Sequence, residues 1–220
     1  MPSKGEVADI YRKRAKNYDF TVRLYNLLGF RIDSYRDEAI ESLRLKPGNT
    51  VVDIACGTGA NFLMLQERVG QSGKIIGVDF TDAMLAKARA RVEKKQWRNV
   101  ELVQSDAALY RFPAKVDGVI STFATVYMPE FDDVIRNGSR SLVGGGHMVI
   151  LDFKLPNRWI SRLAPFAFID TLPWGLSIEM ASRHPWESMG RYLQGTRLAE
   201  RYGGFVFIAV GEREENCLTI

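Results

Sequence analysis

Five residues have the types and spacing to do chemistry together: Asp53, Gly57, Gly59, Asp79 and Asp106. In "VVDIACGTGANF", residues 51–62, an apolar run carries an acid, a glycine turn follows, and a helix opens. Gly57 and Gly59 let the backbone approach a ligand, and the amides at the helix start favour a negative group. Asp79 ends "KIIGVD" and Asp106 follows "ELVQS". A carboxylate only accepts and has two oxygens, so Asp79 suits the paired hydroxyls of a ribose. Asp106 in turn suits the amino group of an adenine. A dinucleotide is the weaker ligand, because G-x-G-x-x-G needs glycine at position 62, where Phe62 stands. An anionic amino-acid tail, a ribose and an adenine together describe S-adenosylmethionine.

These acids need a sheet to bring them together. From residue 50 the chain alternates short apolar, β-branched runs with amphipathic ones: "TVVDIA", "NFLMLQERV", "KIIGVDF", "TDAMLAKARARVEKK", "VELVQSD", "VDGVIST", "FDDVIRNGSRSL" and "HMVILDF". That rhythm predicts a parallel sheet covered on both faces, a doubly wound α/β fold whose ligands bind beyond the carboxyl ends of the strands. Before it, Val7, Ile10, Tyr11, Ala15 and Tyr18 recur at helical steps, and "SYRDEAIESLRL" predicts a second helix capped by Ser34. After it come a helix at "WESMGRYLQ" and two strands about Gly203-Gly204, a terminal hairpin that brings the expected strands to seven. The organisation expected is one domain. It has a helical cap over 1–48, a cofactor-binding core over 49–154, an inserted lid over 155–185, and a helix and hairpin over 186–220.

Composition narrows the setting. With 220 residues, 46% hydrophobic and 25% charged, the chain fits one globular domain with a real core. A net charge of +4 is too small to imply nucleic acid. Two distant cysteines, no signal-peptide core and no apolar run of spanning length predict a cytoplasmic protein. No His, Asp and Glu residues have metal-ligand spacing, so no metal is expected. Lys4, Arg12, Lys13, Arg14, Lys16, Arg23 and Arg31 outnumber Glu6, Asp9 and Asp19 near the start. That surplus is either a solvated helix face or a peripheral contact with an anionic membrane.

"VVDIACGTG", "GVDFTDAML" and "SDAALYRFP" resemble the first three motifs of class I methyltransferases. The likeness is nearest to the ubiquinone/menaquinone-biosynthesis C-methyltransferase family, since "SLVGGGHMVILDFKLP", "RHPWESMGRYL" and "YGGFVFIAVGE" are similar to its later segments. The substrate side departs, because Tyr18-Asp19-Phe20-Thr21-Val22 lacks the asparagine of that family's "YD-x-M-N". The resemblance implies a Rossmann-like methyltransferase fold. It also implies that Gly57 and Gly59 line the methionine part over a turn ordered by Asp53. Asp79 then holds the ribose, Met84 packs near the adenine, Asp106 and Ala107 bind its amino edge, and Ser121 faces the sulfonium. Tyr11 and Tyr18 correspond to tyrosines that close over the reacting centre.

Methyl transfer from a sulfonium needs mainly positioning in a dry pocket, with a base only where the acceptor must lose a proton. His184, after the lid, is the better-placed base; His147 starts a strand at the wrong end and is structural. Asp152 and Tyr127 are placed to touch substrate. Trp159, Phe166, Phe168, Trp174 and Leu176 make the lid apolar. The expected activity is therefore metal-independent methyl transfer to a hydrophobic or amphipathic small molecule, quinol-like or lipid-like. The alternatives are a phospholipid or small-amine N-methyltransferase and a protein that binds S-adenosylmethionine without transferring its methyl.

Overall fold

A computed structural model of the chain describes residues 4–16, 20–21, 30–155 and 178–215. Helices α1 (Lys4–Arg14) and α2 (Ile32–Glu41) precede the sheet. Then come β1 (Thr50–Ile54), α3 (Phe62–Val69), β2 (Lys74–Asp79), α4 (Asp82–Lys95), β3 (Val100–Gln104) and β4 (Val116–Thr122). Next are α5 (Phe131–Ser141), β5 (Leu142–Phe153), the short α6 (Ile178–Ala181), α7 (Pro185–Tyr192), β6 (Gln194–Arg201) and β7 (Val206–Glu212).

The seven strands form one sheet in the order β3-β2-β1-β4-β5-β7-β6. Strands β1 to β5 run parallel, and β7 enters antiparallel between β5 and β6. This is the expected Rossmann-like methyltransferase architecture. The chain moves outward from β1 to β3 and then returns to lay β4 beside β1. The strand order therefore reverses between β1 and β4, where the crossovers diverge and open a crevice at the carboxyl ends.

Two cores sandwich the sheet. On one face Ala39, Ile40 and Leu43 from the α2 side join Phe62, Leu65 and Val69 of α3 and Leu85 and Ala88 of α4. On the other, Val134 and Ile135 of α5 and Met189 of α7 pack on Val52, Ile54, Val119 and Phe207. Burial on both faces explains why the inner strands are continuously apolar.

Two boundaries differ from expectation. Ser34 does not cap α2, which begins at Ile32 after Arg31 in the left-handed region (φ 46°). Strand β5 begins at Leu142 rather than at His147, because Gly145 and Gly146 exchange backbone hydrogen bonds with Arg213 beyond β7. The lid aromatics from Trp159 to Leu176, and Tyr18, lie outside the described residues.

Candidate functional site

The turn after β1 is built from the inside out. Asp53 is fully buried, and both its oxygens accept from Asn61 Nδ2 at 3.1 Å. The same amide reaches Thr122 Oγ1 at 3.1 Å, tying the start of α3 to β1 and β4. Burial pushes the Asp53 carboxyl up to about 7, against the Asn61 hydrogen bonds and the nearby charge of Arg36. Through Asn61, Asp53 is joined to the start of α3 beneath the turn.

The glycines divide the work. Gly57 (φ 56°) points toward open space, and its N–H donates to Asp79 Oδ2 at 2.8 Å. Gly59 (φ 73°) serves packing, because a Cβ there would meet the Phe62 ring at 2.5 Å. The same ring comes within 2.6 Å of a Cβ built on Gly77. Phe62, which breaks the dinucleotide fingerprint, thus fills space that two glycines leave, and Gly59 is not among the residues lining the cleft.

A cleft opens over this turn, with an empty volume of about 930 Å³ including its mouth. Asp79 sits in its wall, with Oδ1 accepting the Thr81 N–H and Oδ2 the Gly57 N–H, each at 2.8 Å. Burial raises its carboxyl, and those backbone donors work against the rise. The Thr81 hydroxyl and the Phe80 N–H also favour its ionised form, so a ligand hydroxyl would share these oxygens with the turn's own donors. Beyond it, Met84, Phe80, Val78, Ala107, Ala108 and Val134 form an apolar slot. Asp106 closes that end, where its Oδ1 accepts the Ala108 N–H at 2.9 Å. The slot suits a flat heterocycle, the Asp79 oxygens a vicinal diol, and the Gly57 end a polar tail.

At the opposite end, Ala55 (φ 53°) and Phe123 (φ 56°) both hold left-handed conformations unusual for their types. They directly follow the adjacent strands β1 and β4, and both line the cleft. Tyr11 of α1 meets Tyr127 edge to face, with ring centroids 6.0 Å apart, and both line the cleft beside Met128 and Glu130.

The structure therefore brings Tyr11, Gly57, Asp79, Met84, Asp106 and Ala107 together in one wall. Ser121 departs from expectation: it is buried, its Oγ has no hydrogen-bond partner among the described residues, and its neighbours Thr122 and Phe123 reach the cleft instead. His184 also departs. Its Nδ1 lies 3.0 Å from Glu187 Oε1, its ring leans on Trp186, and it does not line the cleft. Asp152 is enclosed rather than substrate-facing. It accepts the Val126 and Phe153 N–H groups, and burial pushes it up to about 7. By gripping Val126 it fixes the turn that presents Tyr127. His147 is buried within β5 near Glu212 and lies outside the cleft. Among the described residues no group of His, Cys, Asp and Glu could hold a metal.

The profile of the ubiE/COQ5 methyltransferase family matches residues 2–176. The chain belongs to that family. Its relatives include a demethylmenaquinone methyltransferase of Listeria welshimeri, 30% identical over 154 residues, which span 69% of this chain and 64% of that protein. Another is the demethylmenaquinone methyltransferase of Bacillus cereus, 31% identical over 157 residues, spanning 70% and 65%. The chain thus spans less than two thirds of the length of these relatives. A solved S-adenosylmethionine-dependent methyltransferase from Aquifex aeolicus superposes with a TM-score of 0.61 at 22% identity, over 81% of this chain and 89% of that one. At that identity the likeness speaks for the fold.

The sequence reading missed Thr122, Phe123, Met128, Glu130 and Val134. Their one signal is position, since Thr122 ends β4 and the others follow it.

Proposed function

We propose that this chain transfers the methyl group of S-adenosylmethionine to a quinol-like acceptor. Family membership supports the reaction class, and the names of the Listeria and Bacillus relatives favour the acceptor. One observation of the structure carries the cofactor: Asp79 stands in the cleft between an apolar slot and a glycine turn. In this reading Asp79 takes the ribose hydroxyls, Met84 and Ala107 flank the adenine, Asp106 accepts from its amino edge, and Gly57 gives the methionine part close passage.

When bound, S-adenosylmethionine supplies a methyl group on a positively charged sulfur. Tyr11, Phe123 and Tyr127 put aromatic rings around the end of the cleft where that charge would lie, and ring faces favour a cation. The same rings exclude water and hold an apolar acceptor in line with the sulfur. An aromatic carbon becomes nucleophilic when its ring hydroxyl gives up a proton. Glu130, in the same wall as Tyr127, is the carboxylate assigned to take it.

The basic surplus before residue 32 adds a reversible contact with anionic lipid, which would bring the chain to an acceptor dissolved in the bilayer. Among the described residues no helix is long and apolar enough to cross a membrane.

The test measures S-adenosylhomocysteine release with a naphthoquinol bearing a short prenyl tail, kept reduced, against phosphatidylethanolamine and simple amines. Turnover with the quinol alone is expected. Turnover with an amine and none with the quinol would overturn the acceptor. Glu130→Gln should lower kcat at least tenfold and leave cofactor affinity unchanged.

A further inference from the structure

Arg36 is a charge without a visible purpose. It lies on α2, 3% exposed, and its buried Nε and Nη1 have no hydrogen-bond partner among the described residues. Asp33 stays at 3.9 Å from Nη1, beyond hydrogen-bond reach, on a solvent-exposed side chain. Asp53 feels the Arg36 charge, but no hydrogen bond joins the two among the described residues, and both Asp53 oxygens instead accept from Asn61. The guanidinium centre rests 5.5 Å from the centroid of Phe123. A ring face compensates part of a buried cation, but it accepts none of these N–H groups in the way an oxygen does. Arginine stays ionised at every relevant pH, so the unmet need is for an anion.

The position of that need is specific. Phe123 lines the end of the cleft that Ala55 and Gly57 share, opposite the Asp106 end. A ligand with its adenine toward Ala107 and its ribose on Asp79 extends its remaining arm toward this end. In S-adenosylmethionine that arm terminates in an α-amino acid, which carries a carboxylate. A planar guanidinium fork binds a carboxylate through two parallel hydrogen bonds, a geometry that no ammonium reproduces.

We propose that Arg36 anchors the carboxylate of the methionine part, reached past the edge of the Phe123 ring. The assignment rests on the cofactor placement given above and is independent of the acceptor. It makes α2, which precedes the sheet, a part of the cofactor site. Arg36 is not itself among the residues lining the cleft, and Phe123, whose ring its guanidinium faces, is.

A binding cycle tests this by calorimetry. Wild type and Arg36→Met are each titrated with S-adenosylhomocysteine and with its decarboxylated analogue, which keeps the amine and lacks the carboxylate. Wild type should prefer the complete ligand by about 100-fold, in line with a charge-assisted pair. Arg36→Met should bind both ligands alike, and Arg36→Lys should retain a preference nearer tenfold. Equal weakening of both ligands by Arg36→Met, or a wild type indifferent to the carboxylate, overturns the assignment. The melting temperature of the ligand-free variant is a second readout. Loss of an unpartnered buried cation should leave it unchanged or higher, whereas a fall of many degrees would mark Arg36 as structural. Should Arg36→Met not fold, the wild-type pair and Arg36→Lys still decide. If wild type binds neither ligand, the cofactor placement itself has failed, and the anchor with it.

Discussion

The Gly57 amide donates to Asp79 Oδ2 at 2.8 Å, joining the turn after β1 to the last residue of β2. The two strands are neighbours in register, with Ile54 opposite Val78. This bond sets the floor of the cleft before any ligand arrives. It also uses one acceptor position on the oxygen pair assigned to the ribose, and the Thr81 N–H uses another on the second oxygen.

Asp79→Ala removes both the ligand's acceptors and the floor's anchor. S-adenosylhomocysteine affinity should fall by about 100-fold or more, the loss expected of two hydrogen bonds to a charged group. Asp79→Asn keeps one acceptor oxygen and should lose less. Calorimetry with both variants checks the order, and unaltered binding by Asp79→Ala would remove this carboxylate from the site.

Gly57 and Gly59 should respond to alanine in opposite ways. At Gly59 the new Cβ meets the Phe62 ring at 2.5 Å in a left-handed backbone. Overpacking and the φ penalty together cost about 2–4 kcal/mol, a melting drop of roughly 5–15 °C for a chain of this size. At Gly57 no atom lies within 4 Å of the new Cβ, so only the backbone penalty applies, about 1–2 kcal/mol. That methyl projects into the cleft, so Gly57→Ala should lose ligand affinity more than stability. Melting curves and calorimetry on the two variants separate these effects.

The same pair shows what sequence could and could not convey. The strands were legible because a sheet buried on both faces demands unbroken apolar runs, and "VVDI", "IIGV" and "VDGVIST" supply them. The acids Asp79 and Asp106 were legible because each follows such a run. Gly59 looked like a ligand contact, and only the packing shows that Phe62 requires it. Arg36 was hidden because "SYRDEAIE" reads as a charged, solvated turn of helix, and its burial depends on Phe123, distant in sequence. Phe123 and Ala55 were hidden because neither residue type favours the left-handed region that the tertiary structure imposes. His184 misled because nearness to the lid in sequence did not place it in the cleft.

Asp53 makes stability depend on pH. Its carboxyl sits at about 7 in the fold against 3.8 for an ordinary aspartate. Between those values the folded chain holds a proton that the unfolded chain has released, so stability falls as pH rises through this window and levels above it. Asp152, also at about 7, adds a slope of the same sign. His147, held below its ordinary value by burial, acts in the opposite sense below about 6.5. Comparing wild type with Asp53→Asn isolates the first contribution. The melting temperature of ligand-free wild type should drop more between pH 5 and pH 8 than that of the variant. Parallel curves would show that Asp53 ionises freely in the fold.

Among the described residues, helix α1 makes contacts of different physics beside the cleft. Arg12 pairs with Asp82 at the start of α4, with Nε 3.0 Å from Oδ1, and both side chains are largely exposed. Such a pair is screened by solvent and salt, so Arg12→Ala should leave the melting temperature almost unchanged. Tyr11 instead meets Tyr127 edge to face inside the cleft, a contact that salt does not weaken. An aromatic pair of this kind contributes about 0.5–1.5 kcal/mol, so Tyr11→Leu should weaken S-adenosylhomocysteine binding by roughly 2- to 12-fold. Tyr11→Phe keeps the ring and should stay within about twofold of wild type. Titrations at low and high salt distinguish the two supports. Loss of affinity in Tyr11→Leu should persist at both, while any loss in Arg12→Ala should vanish as salt screens the wild-type pair. If Tyr11→Leu binds as wild type does, α1 covers the cleft without contributing to it, and the closing role passes to residues beyond α1.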